Sequence, residues 1–324
     1  MSAPPALLEV RDLTKHFAVT KGLLRPVTTI VRAVDGVSFA VTRGEAFGVV
    51  GESGCGKSTA ARAVLHLIPP DAGCIRFAGI DVTSARGSML QRLRRRMQIV
   101  FQDPYSSLNP RRTIGQTLTE PLGVHGLARG HAARERAMAL LEEVGLPSSA
   151  YDRHPHEFSG GQRQRIGIAR ALSVEPELIV ADEPVSALDV SVQAQVLLLL
   201  KDLQARRGLT FVFVSHDLGV IRWFCSRVAV MYLGRIVESG PVARVFGAPR
   251  HPYTRMLRDA SPLPDPSIRG RLPRIIGEIP SAANPPSGCH FHPRCPRASD
   301  LCRTVYPEWR ADGDGGVACH HPED

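Results

Sequence analysis

Glu45-Ala46-Phe47-Gly48-Val49-Val50 runs directly into Gly51-Glu52-Ser53-Gly54-Cys55-Gly56-Lys57-Ser58-Thr59, and this join decides the fold. The first six residues read as a buried strand. Lys57 to Ile68 reads as a helix stopped by Pro69-Pro70. Between them lies the pattern G-x-x-x-x-G-K-[ST], a loop that cradles phosphate when a strand precedes it and a helix follows. Its glycines permit backbone angles that aim successive N–H groups into one concavity, and the helix N-terminus adds partial positive charge. Lys57 is placed to reach the β- and γ-phosphates and the Ser58 hydroxyl to bind Mg²⁺. Gly51, Ser53, Gly54, Cys55, Gly56 and Thr59 complete the cradle, with Cys55 read as a small residue within it.

Downstream, Leu178-Ile179-Val180-Ala181-Asp182-Glu183 is an apolar strand ending in two carboxylates. Open α/β sheets place ligands at such carboxyl edges. Asp182 suits the Mg²⁺ shell, and Glu183 suits the base that orients attacking water. Thr210 to Val214 reads as a further strand. Val190 to about Ala205 reads as a helix with Val192, Val196, Leu199 and Leu203 at helical spacing. Residues 103 to 173 read as a mostly helical insertion. Half of the 26 prolines and four of the seven cysteines fall after residue 248. The expected organisation is an α/β nucleotide-binding domain over 1–248 and an extension over 249–324.

With 324 residues and 43% hydrophobic composition, the chain can bury a substantial core without disulfides or metals. The longest uncharged apolar stretch, Val190 to Leu200, is far short of the roughly 20 residues that a spanning helix needs. Met1-Ser2-Ala3-Pro4-Pro5 has neither the basic nor the apolar region of a secretory signal, so a cytoplasmic location is expected. The net charge of +9 comes from 40 basic residues, of which only Lys15, Lys21, Lys57 and Lys201 are lysines. Such charge suits nucleic acid or an anionic surface, but arginines dispersed over solvated faces account for it equally.

Phe158-Ser159-Gly160-Gly161-Gln162-Arg163-Gln164-Arg165 narrows the class. It resembles the signature of ABC-type ATPases, with Phe where Leu is usual. Other elements follow in that family's order. Gln102 resembles the Q-loop glutamine, Ser186-Ala187-Leu188-Asp189 the D-loop, and His216 in Ser215-His216-Asp217 the switch histidine. Phe17 stands about 34 residues before the phosphate loop, where the family stacks an aromatic on adenine. The resemblance covers about residues 7 to 245. It implies a RecA-like core sheet, an antiparallel β subdomain and an inserted helical subdomain. It further implies that Ser159, Gly160, Gly161 and Gln162 close in trans over ATP held by a partner's phosphate loop, in a head-to-tail dimer. Gln102, Glu183 and His216 are then the catalytic set, and Ser58, Gln102 and Asp182 the Mg²⁺ set.

Arg96 to Arg111, through Gln102-Asp103-Pro104-Tyr105-Ser106-Ser107-Leu108-Asn109-Pro110, looks like the ATPase subunits of dipeptide and oligopeptide importers. The Gln-Asp-Pro-Tyr variant looks more like the second of their two paired ATPases. His251-Pro252-Tyr253-Thr254, with Ala260 and Pro262 after it, resembles the start of their C-terminal extension. That resemblance implies a heterodimer with a second ATPase beneath two transmembrane permeases, fed by an external binding protein, at the cytoplasmic face of the membrane. Paired ATPases of this type also serve importers of nickel, glutathione and sugars. A soluble ABC ATPase acting on nucleic acid and an iron–sulfur redox protein are the rivals. Against the first stand the single phosphate loop and the lone dense basic run, Arg92 to Arg96, so no nucleic acid partner is expected.

Cys289, Cys295, Cys302 and Cys319 are spaced C-x5-C-x6-C-x16-C in that extension. A reducing cytoplasm disfavours disulfides, and zinc usually shows a tighter cysteine pair. Four thiols in a loop-rich segment suit an iron–sulfur cluster, although the spacing is not the ferredoxin one. Some extensions of the resembled importers hold a [4Fe–4S] cluster, so that is the favoured expectation, in the role of a structural staple. Cys74 and Cys225 read as ordinary buried residues.

Overall fold

The computed structural model describes residues 5–21, 27–260 and 277–323. Residues 1–4 and Pro262, both used above, lie outside the described residues. The long strands β1 (Ala6–Lys21) and β2 (Val27–Thr42) pair antiparallel. β3 (Ala46–Val50) is buried at all five positions, as a continuously apolar strand covered on both faces should be. α1 (Lys57–Val64) ends four residues before the expected Ile68, because His66 adopts a left-handed φ of 52° that a helix cannot continue through. β4 (Ala72–Phe77) and β5 (Ile80–Asp81) complete an antiparallel sheet ordered β2-β1-β4-β5. Cys74, on β4, is only half-buried, against expectation.

α2 (Gly87–Arg96) buries Leu93 and bonds its arginines locally. Arg94 donates to His66 O (3.2 Å), Arg95 to Val174 O (3.3 Å), and Arg96 pairs with Glu177. Three of the four arginines of the basic run thereby bond within their own domain. After β6 (Met97–Val100), the helices α3 (Ile114–Val124), α4 (Gly130–Glu143) and α5 (Gly160–Leu172) form the helical insertion. They close on Ile114, Leu118, Leu141 and Ile166, all fully buried. β7 (Leu178–Asp182), α6 (Val190–Arg207), β8 (Thr210–Ser215), α7 (Leu218–Phe224), β9 (Arg227–Tyr232) and β10 (Arg235–Pro241) return to the core. α6 runs two residues past Ala205 to Arg207, and the left-handed backbone of Gly208 (φ 63°) caps it. Its fully sheltered side is Val196, Leu197, Leu200 and Leu203, with Val192 and Leu199 at the margin.

α8 (Val242–Gly247) closes the core domain, and the extension then adds α9 (Pro252–Ala260), α10 (Asp300–Thr304), β11 (Arg310–Asp312) and β12 (Gly315–Val317). The second sheet has eight strands ordered β11-β12-β10-β9-β3-β8-β7-β6. The run from β9 to β6 is parallel, and β10, β12 and β11 are appended antiparallel. β12 hydrogen-bonds to β10 through Glu238 opposite Val317, so the extension continues the core sheet. All the parallel strands end at one edge. There β3 opens into residue 51, β6 leads to residue 102, β7 delivers Asp182, and β8 delivers His216.

Candidate nucleotide site

Gly51, Gly54 and Gly56 have φ of 154°, 80° and 106°. A Cβ on Gly56 would stand 1.9 Å from Ala33 O, and one on Gly51 2.2 Å from Met231 O, so two of the loop glycines are required by space as well as by conformation. Lys57 is buried, and its Nζ donates to Gly51 O (2.8 Å) and Glu52 O (3.0 Å). The loop carbonyls thus hold the ammonium group within the loop. Cys55 lies under the loop as a buried free thiol, its pKa pushed up by burial.

The Ser58 hydroxyl donates to Asp182 Oδ1 at 2.7 Å, joining two of the three residues expected to hold Mg²⁺. Burial raises the pKa of the Asp182 carboxyl, opposed by the Ser58 bond and by Arg62 at 3.8 Å. A divalent cation there would reverse that balance, and a hydroxyl and a carboxylate are the oxygen donors that Mg²⁺ takes. Glu183 sits at a left-handed φ of 48°, its N–H donated to Val214 O (3.0 Å). Such strain persists where surrounding structure over-determines it. Gln102 Nε2 donates to Glu183 Oε2 at 3.0 Å, and His216 Nδ1 stands 3.2 Å from the same oxygen. Gln102, Glu183 and His216 therefore meet at one point.

These residues line one cavity of about 500 Å³ together with Ser53, Gly54, Gly56, Lys57, Ser58 and Thr59. Its remaining wall is Val31, Ala33 and Ala282. Phe17 pairs with Val31 across β1 and β2, so the two share a face of the strand pair; Val31 lines the cavity, and Lys15 stands 5.4 Å from the Phe17 ring centroid. The signature is built elsewhere in the chain. Ser159 caps α5, its Oγ accepting from Gln162 N (3.3 Å) while Gln162 Oε1 accepts from Ser159 N (3.0 Å). A Cβ on Gly161 would meet Val192 Cγ1 at 2.2 Å, so the turn packs against α6 just after Asp189, the residue preceding that helix. Gln164 Nε2 donates to Phe101 O (3.3 Å), tying the signature helix to the residue before Gln102. Ser159, Gly160, Gly161 and Gln162 contribute nothing to the cavity formed by their own chain.

Sequence reading missed Glu52, Tyr253, Ala282 and Arg294. Tyr253 was read only as part of the start of the extension, Ala282 had no motif, and Arg294 was hidden among cysteines. The four extension cysteines are free and line one small cavity with His251 and His292. Burial pushes the Cys289 thiol up to about 12 and the Cys319 thiol up to about 11. The expected metal centre departs from the structure in one respect. Among the described residues no group of three or more His, Cys, Asp or Glu side chains closes on a point that a metal ion could fill. The four cysteines line one small cavity without closing on a single point.

A phosphate loop, an acid-capped strand and a signature turn on one α/β core define an ABC-type ATPase cassette. The ABC transporter family matches residues 34–186, and the oligopeptide/dipeptide transporter C-terminal region matches residues 237–302. Proteins of Brucella ovis and Brucella abortus named as peptide import ATP-binding proteins are 53% identical over 94% of this chain and 94% of their own length. The oligopeptide transport ATP-binding protein AppF of Bacillus subtilis is 48% identical over 97% of each chain. A dimeric ATP-binding cassette in a post-hydrolysis state, bound to ADP and Pi, superposes with a TM-score of 0.64 at 30% identity, over 72% of this chain and 98% of that one. The chain belongs to the ABC transporter ATP-binding family, in the branch that carries the oligopeptide/dipeptide transporter C-terminal region.

Proposed function

We propose that this chain is the ATPase subunit of a dipeptide or oligopeptide importer, paired head-to-tail with a second, non-identical ATPase under two permeases that receive substrate from an external binding protein. The carrying observation is the split of the two phosphate cradles. Ser53, Gly54 and Gly56 to Thr59 share a cavity with Gln102, Glu183 and His216, while Ser159 to Gln162 stand outside it. One γ-phosphate cannot fill both, and a partner ATPase supplies the missing half. Among the described residues no helix is long and apolar enough to cross a membrane, which suits attachment to the cytoplasmic face through permeases. The names of the relatives favour peptide as cargo.

In this reading Lys57 turns from the loop carbonyls to the β- and γ-phosphates. Ser58, Gln102 and Asp182 would hold Mg²⁺, which supplies charge neutralisation on the phosphates. Glu183, aligned by Gln102 and His216, orients the attacking water in line with the γ-phosphate. Loss of that phosphate removes the bridge between the two cradles, so the dimer opens: a ligand shifts an equilibrium by its differential affinity for two states. The four extension thiols would hold a [4Fe–4S] cluster as a staple. Four irons each take one thiolate, which matches donors ringing a space. Four irons and four labile sulfides in the anaerobically purified chain are the expected result, and stoichiometric zinc without iron would refute it.

The deciding experiment is capture of the ATP-trapped Glu183→Gln chain from gently solubilised membranes. A second ATPase and two permeases are the expected companions, and the associated binding protein identifies peptide, nickel, glutathione or sugar as cargo. Recovery from the soluble fraction alone, or with nucleic acid, overturns the transport assignment.

A further inference from the structure

The structure assigns Arg294 and Tyr253, both in the C-terminal extension, as positioning residues for the phosphate loop. Arg294 has a side chain only 2% exposed, and it grips Glu52, the second residue of the loop, through two parallel bonds: Nη1 to Oε2 at 2.7 Å and Nη2 to Oε1 at 2.9 Å. The backbone N–H of Glu52 is held as well, donating to the Tyr253 hydroxyl at 2.9 Å. Glu52 itself does not line the nucleotide cavity, although Ser53 and Gly54, the next two residues, do. It is a handle on the outer side of the loop. Forked arginine–carboxylate pairing fixes orientation as well as distance, which a single bond does not.

The extension touches the site a third time. Ala282 lines the cavity, and its carbonyl accepts from Arg32 N (3.1 Å), which fixes it beside Val31 and Ala33. The grip has a rigid base. Tyr253 packs on Tyr232 and Phe291 with ring centroids 4.6 and 5.4 Å away, and Arg294 N donates to Phe291 O (3.0 Å). The short turn bearing Arg294 lies between Cys289 and Cys295 and is braced by Cys289 N donating to Cys302 O (2.8 Å). A loop whose N–H groups must all point at phosphate loses affinity when its entry residue swings, because the ordering is then left for ATP to supply.

The inference rests on the reading of residues 51–59 as the phosphate cradle. The test is a trinitrophenyl-ATP titration of the purified full-length chain in Mg²⁺, run beside thermal unfolding. Arg294→Gln should weaken binding roughly tenfold, within the usual range of coupling between two sites, and Arg294→Lys should fall between it and wild type. A contact that only staples the extension would lower the melting temperature and leave affinity unchanged, and that result overturns the inference. If Arg294→Gln does not fold, Tyr253→Phe carries the test, since it removes one hydroxyl and keeps the ring. A roughly threefold loss of affinity is expected there, and none would be fatal. Lys57→Ala is the separate control: undiminished binding in that variant refutes the cradle, not the role of the extension.

Discussion

Glu183 Oε2 accepts one hydrogen bond from Gln102 and faces His216 from the other side. A carboxylate so aligned suits the proposed role of general base. Replacing it with Gln keeps the size and the Gln102 contact but removes the proton acceptor. Turnover of Glu183→Gln should therefore fall roughly 100-fold or more, with MgATP binding preserved and the closed dimer accumulating. Phosphate release and size-exclusion chromatography in ATP read the two effects, and wild-type turnover would end the assignment. Most of this residue-level detail was legible in advance, because phosphate chemistry demands particular side chains at fixed offsets from a Gly-rich loop. The cavity wall at Val31, Ala33 and Ala282 was not. It depends on which face of a strand pair turns inward, and β1 and β2 carry several register shifts that local sequence does not announce.

α9 begins beside His251, whose Nδ1 accepts from Tyr253 N at 3.0 Å while Nε2 has no partner among the described residues. Complete burial pushes the pKa of the ring down to about 3, from about 6.5 in an unfolded chain. The folded protein keeps the ring neutral, whereas the unfolded chain takes up a proton below about 6.5. This stabilisation is therefore full above that pH and is lost as pH falls toward 3. The slope is about 1.4 kcal/mol per pH unit, hence about 2 kcal/mol between pH 7 and 5. The backbone N–H of His251 donates to Glu238, whose carboxyl is raised by burial and is common to both proteins compared. Urea unfolding at the two pH values should show wild type losing about 2 kcal/mol more than His251→Asn, which retains an acceptor for the Tyr253 N–H. Equal losses would place the ring in contact with water. Elements with strong periodicity or clear stop signals were predictable within a few residues. The early end of α1 was not, since it is set by a single left-handed His66 rather than by Pro69-Pro70.

At the scale of the molecule, the extension proves continuous with the cassette. β12 covers the free edge of β10, Phe291 packs on Tyr232, and Arg294 reaches the phosphate loop. Ending the chain after Ala248 would strip β10 of its outer neighbour β12 and leave the loop carboxylate of Glu52 without its arginine. An exposed strand edge invites association between chains. The truncated protein should melt several degrees lower, bind MgATP more weakly and aggregate; scanning calorimetry with light scattering decides. An unchanged melting temperature and affinity would make the extension an appended module.

The amino-acid order by itself determined the α/β class, the phosphate loop, the paired acids, the signature turn and the family resemblance. Each of these is encoded by residues close in the chain, where backbone geometry and chemistry leave few alternatives. Only the tertiary structure decided that the Pro- and Cys-rich tail joins the core sheet, that its four thiols ring a cavity, and that Arg294 meets Glu52 across 242 positions of chain. Contacts of that reach are set by how the sheet edge and the loops pack, and short-range patterns in sequence carry no record of them.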